Sequence, residues 1–100
     1  MEEEKKVWVI TCKEYLSKQD LTSVQLVGTY DDKAAALLKA IKVRDSLFDE
    51  LKRKGEKTKL FSTNSIFGIY CGKKEFGVYE KNYFIEIHEM ELNTEVNSFV

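Results

Sequence analysis

DDKAAALLKAIKVRDSLFDELKRK, residues 31–54, is the one stretch of this chain with sustained helical periodicity. Asp31 stands where an N-cap is wanted, and Asp32 adds negative charge at the positive end of the helix dipole. Ala34 to Lys39 are strong helix formers. Lys52, Arg53 and Lys54 precede Gly55, a residue suited to the position just past a helix. At ~100° per residue, Ala34, Leu37, Leu38, Ile41, Phe48 and Leu51 share one side, and Ala40 and Leu47 widen that arc. Such a stripe buries against a sheet.

Arg44 interrupts the stripe, with Asp45 at its margin. Either its stem lies on the core and the guanidinium reaches water, or it forms an ion pair across an interface with another chain. A helix of this length spans ~36 Å, about twice a typical strand of five or six residues. An overhanging second half is therefore expected. Arg44, Leu47, Phe48 and Leu51 are the first candidates for an interaction surface there.

Extended sequence lies on both sides of the helix. Lys6–Leu16 reads as a strand apolar on both faces in its first half, which suits an interior position. Ser17–Asp20 opens a long, polar connection to a returning strand, Val24–Tyr30. After the helix come a short strand over Lys59–Thr63, a turn at Asn64-Ser65, and a strand over Ile66–Cys71. Gly72–Glu75 reads as a hairpin loop, Phe76–Glu80 as a strand, Lys81-Asn82 as a tight turn, and Tyr83–Leu92 as the closing strand. The class that follows is α+β, an antiparallel sheet in the order β-β-α-β-β-β, with Lys59–Thr63 as an optional extra short strand, and one long helix on one face. Trp8, Ile10, Leu37, Ile41, Phe48, Ile69 and Ile85 form the expected core. One helix covers one sheet face, so the closing strand, the tail or another subunit is expected against the second.

One hundred residues make one domain, 1–100, with 1–5 and 94–100 expected to fray. The net charge of −1 supplies no global field for nucleic acid or an anionic membrane. No apolar run approaches the ~18 residues of a membrane span, and the opening MEEEKK has no signal-peptide character, so an intracellular, cytoplasmic setting is expected. Cys12 and Cys71 lack metal-ligand spacing and read as free thiols.

Catalytic patterns are absent. There is no GxSxG, P-loop, GxGxxG or HExxH, and the single histidine, His88, sits in a glutamate-rich strand that alternation splits between two faces. The glycines of Gly68-Ile69-Tyr70-Cys71-Gly72 read as bulge or turn positions. No enzyme, cofactor or metal is expected.

Charge is uneven: residues 33–59 are net positive and both flanks net negative. The basic helix end can meet nucleic acid or complement Glu86, Glu89 and Glu91. Aromatics also interleave with lysines in the later hairpin, where Lys73, Lys74, Phe76, Tyr79 and Lys81 make a candidate grip on single-stranded nucleic acid. Cross-strand packing pairs are the alternative. No RNP1-like run is present, and the β-β-α order is not that of an RRM.

VWVITCKEYL followed by LVGTYDDKAAALLKAI, with FIEIHEMELN closing, resembles small uncharacterised proteins of phages, large DNA viruses and bacteria. These share a hairpin, a capped helix and a closing strand. The resemblance covers about half the chain and implies a fold and a viral origin, but no activity. The sequence reading is therefore a small non-enzymatic interaction module that binds a protein partner or itself as a homodimer, with single-stranded nucleic-acid binding as the alternative.

Overall fold

The computed structural model describes residues 5–92. Its elements are β1 (Lys5–Leu16), β2 (Leu21–Tyr30), α1 (Lys33–Arg53), β3 (Thr58–Ser62), β4 (Ile66–Glu75) and β5 (Val78–Leu92). The five strands form one antiparallel sheet in the spatial order β2-β1-β5-β4-β3, with α1 against one face. The class and element order are those expected from the sequence. No helix among the described residues is long and apolar enough to cross a membrane.

The strands are longer than their sequence limits. The β1–β2 connection is only residues 17–20, closed by Asp20 N–H to Ser17 O (3.3 Å) and by Tyr15 Oη to Asp20 Oδ1 (3.1 Å). It is a tight turn, not a long loop. β4 continues through Gly72, whose φ of +85° sits inside a register shift between Cys71 and Lys74. The hairpin turn is Phe76-Gly77, flanked by the pair Glu75–Val78. Lys81-Asn82 is no turn at all. Asn82 is buried, and its Nδ2 donates to Tyr15 O (3.2 Å) and Tyr79 O (3.0 Å), so this turn-prone residue is satisfied within the sheet.

These lengths reverse the expected overhang. The helix has 21 residues, roughly 32 Å, whereas the 15 residues of β5 reach roughly 50 Å. The sheet outruns the helix. β5, expected to cover the second face, is instead the middle strand. The tail from residue 93, the other expected cover, lies outside the described residues.

The helix begins at Asp32, whose Oδ1 accepts from Ala34 N–H (3.1 Å), one residue later than the sequence suggests. It ends at Lys54, and Gly55 follows at φ +80° as expected. Its buried line is Ala36, Ala40 and Leu51, flanked by Ile41, Val43, Leu47 and Phe48. Ala40, Ile41, Leu47, Phe48 and Leu51 of the predicted arc face the sheet, while its Ala34, Leu37 and Leu38 edge turns to water and Ala36 takes its place. Leu37, expected in the core, is 37% exposed, and Leu38 is 61% exposed. Ala36 and Ala40 bring the helix close to Ile10, Phe67 and Ile85. Leu51 seals a second cluster with Ile69, Cys71 and Tyr83. Ile10, Ile69 and Ile85 are fully buried, each worth about 2 kcal/mol by area transfer. Trp8 is half-buried beside them.

Candidate interaction surfaces

The register across the sheet decides which side chains share its helix-free face. Phe61 pairs with Gly68, Gly68 with Phe84, Phe84 with Lys13, and Lys13 with Val24, giving one row from β3 to β2. The adjacent row is Lys59, Tyr70, Asn82, Tyr15 and Thr22, and on the other side lie Ile66, Glu86, Thr11 and Leu26. No described helix covers this face. With dimensions of 54 × 30 × 19 Å, its radius of gyration is 16.4 Å, against ~13 Å for a compact 100-residue domain.

An aromatic stack runs along one end. Phe61 and Tyr70 lie parallel at 4.5 Å between centroids, and Tyr70 and Tyr79 at 4.8 Å. The stack is closed at both ends: Phe84 meets Phe61 edge-on at 5.8 Å, and Lys74 Nζ sits 5.6 Å over Tyr79. Lys13 Nζ lies 5.3 Å over Phe84 and 3.5 Å from Glu86. The sequence points to Lys74 and Tyr79 but does not join Lys13, Lys59 or Phe61 to them, because only strand pairing assembles that surface.

The other candidates of the hairpin scatter. Lys73 is exposed, and Phe76 is fully exposed at the turn with φ +53°. Lys81 turns to the helix side, where its Nζ donates to Glu56 Oε1 (3.1 Å) while Cys71 Sγ donates to Glu56 Oε2 (3.0 Å). These contacts, first the thiol and then the ammonium, hold the Glu56 carboxyl below its ordinary range. Burial and then the neighbouring Glu56 push the Cys71 thiol up to about 12, so it stays protonated near neutral pH. Both cysteines are free.

The helix set faces inward. Arg44 Nε and Nη2 both donate to Asp45 Oδ1 (3.1 and 2.9 Å), and its guanidinium carbon lies 5.6 Å over the Phe67 ring. The stem-on-core alternative describes it. Leu47 and Phe48 pack on the Leu51, Ile69, Cys71 and Tyr83 cluster, and Leu51 itself is buried. These four side chains serve their own sheet. The basic helix end does not meet the acidic strand either: Glu86 pairs with Lys13 and Glu89 with Lys6, both from β1, while Lys54 pairs with Glu50. His88 Nε2 lies 3.0 Å from Thr11 Oγ1 on the helix-free face. Among the described residues, no group of three or more His, Cys, Asp or Glu side chains converges as a metal site.

Edge strand β2 completes the surface. Val24 is 63% exposed and Leu26 64% exposed. On its helix side, an open groove of about 650 Å³ separates β2 from α1, floored by Cys12 and Val27 and rimmed by Lys39 and Lys42. No protein-family model, curated protein or solved structure matches the chain.

Proposed function

We propose that this protein is a small non-enzymatic binding module that works by protein–protein association, including association with itself, and that the sheet is its working surface. One observation carries the reading. The described helix covers a single face, while on the other Val24 and Leu26 are exposed and the row of Phe61, Tyr70 and Phe84 is only half-buried. Exposed apolar side chains beside half-buried aromatics, with lysines among them, are what binding surfaces present. The inward packing of Arg44, Leu47, Phe48 and Leu51 moves the candidate surface from the helix to the sheet. Light scattering at micromolar concentration tests this. The expected mass is twice the chain's 11.6 kDa. A mass of one chain throughout the micromolar range removes self-association.

A second reading, single-stranded nucleic-acid binding, is favoured by Lys13, Lys59 and Lys74 lying beside Phe84, Tyr70 and Tyr79. It ranks lower on geometry. Bases bind by stacking on open ring faces, and here the Tyr70 and Phe61 faces are spent on each other and Tyr79 is sandwiched between Tyr70 and Lys74. Fluorescence anisotropy with a labelled oligonucleotide separates the two; salt-sensitive binding abolished by Lys74→Glu would favour nucleic acid.

A further inference from the structure

We infer that a second copy of this chain adds to the sheet edge at β2, antiparallel and across a two-fold axis, so that the two five-stranded sheets become one continuous sheet. This deepens the self-association reading and rests on it.

The edge itself is the evidence. β2 reads LTSVQLVGTY: ten residues without one charge, in a chain whose charged fraction is 33%. Natural sheets protect an open edge with charge, proline, short length or a covering element. The opposite edge follows that rule, since β3 has only five residues and carries Lys59. β2 has no proline, because the chain has none. α1 does not cover it, since the groove lies between them. Among the described residues its one protection is a register shift beside Val27, where Ile10 pairs with Gly28 and Thr11 with Leu26. Among those residues, that leaves Leu21–Leu26 as an uninterrupted edge with no strand beyond it.

A second copy suits this edge. An uncharged strand offers no sign by which to select a charged foreign partner. Two identical uncharged edges meet without like-charge repulsion, and a closed two-fold contact is self-complementary.

Symmetry then narrows the register. The axis stands normal to the sheet, so paired residues must come from the same face. Thr22, Val24 and Leu26 are on the helix-free face, opposite Tyr15, Lys13 and Thr11. Within the uninterrupted segment, centring on Val24 sets it against its own copy, Thr22 against Leu26 and Ser23 against Gln25. This register avoids the shift at Val27, and unlike the equally long one centred on Ser23 it pairs both Val24 and Leu26, the two most exposed apolar side chains of β2.

Directly opposed residues on antiparallel strands lie ~4.5–5.5 Å apart at Cα, inside the span a disulfide bridges. Val24→Cys is therefore expected to convert to a covalent dimer under mild oxidation, while wild type and Leu60→Cys, on the other edge, stay single chains on a non-reducing gel. Val24→Lys, at a site already exposed in the single chain, is expected to keep the wild-type circular dichroism and weaken the dimer at least tenfold. If wild type has twice the chain mass but Val24→Cys cross-links no more than wild type, or Val24→Lys leaves the dimer intact, edge pairing is overturned and self-association stands. If wild type has the mass of one chain, both fall.

Discussion

The ring of Phe61 fills the place where a side chain on Gly68 would be: a Cβ built there would overlap Cε1 and Cζ of the ring. The two are register partners on β3 and β4, and Gly68 is buried in a regular strand. This glycine marks neither a bulge nor a turn, as its sequence context suggests. It makes room for an aromatic neighbour.

Gly68→Ala is accordingly expected to destabilise by about 1–3 kcal/mol, the range for overpacking, because Phe61 must leave its stack on Tyr70. Phe61→Leu in the same background should recover part of that loss. Urea unfolding of the two single variants and the double variant measures the coupling; strict additivity would show that Phe61 is not the obstacle.

Phe76-Gly77 joins β4 to β5 with both residues at positive φ, +53° and +82°. Two such residues between paired strands form a type I′ turn, which favours Asn-Gly. A phenylalanine there is strained, and being fully exposed it gains no burial in return. Phe76→Asn should stabilise the fold by about 1 kcal/mol. Thermal unfolding would register this as a rise of roughly 4–8 °C for a domain of this size. An unchanged or lowered midpoint would mean that Phe76 contacts something in the folded protein.

The Glu56, Cys71 and Lys81 cluster gives stability a pH signature of known sign. Glu56 has a lowered folded pKa, owing first to the Cys71 thiol and then to Lys81. Its contribution is present above the ordinary carboxylate range and is lost as pH falls through the folded value. Cys71 is raised, by burial first and Glu56 second, to about 12. The unfolded thiol ionises near the ordinary cysteine value of 9.0, so stability falls between about 9 and 12 as the unfolded chain releases that proton first. Urea midpoints across pH should decline on both sides, and Cys71→Ser should flatten the alkaline limb. A thiol reagent at mildly alkaline pH should reach Cys71 only when denaturant is added.

Where the sequence misleads, the reason is that neighbours in space outrank neighbours in the chain. Element types and their order follow from periodicity and caps, and Ile10, Ile69 and Ile85 are buried as their alternation requires. Asn82 carries a turn residue's signal, yet its amide bonds Tyr15 O, which only the β1–β5 pairing brings near, as well as Tyr79 O on its own strand. The Phe61, Tyr70 and Tyr79 stack draws on three strands, and β3 was the least legible of them. The uncharged run LTSVQLVGTY is plain in the sequence. Its meaning appears only once β2 is known to be an edge.

The helix shows the same effect most sharply, and it offers the cleanest test. Periodicity favours the face with the largest side chains, and so places Leu37 and Leu38 inward. Ala36, outside that arc, and Ala40, at its margin, are the fully buried ones, because small residues let the helix axis approach Ile10, Phe67 and Ile85. Ala40→Leu should therefore cost about 1–3 kcal/mol by overpacking. Leu38→Ala, at a position 61% exposed, should stay within about 0.5 kcal/mol of wild type. Chemical denaturation of the two variants side by side decides the matter. A costly Leu38→Ala with a harmless Ala40→Leu would mean the helix is seated with its Leu37 and Leu38 edge inward, as its periodicity favours.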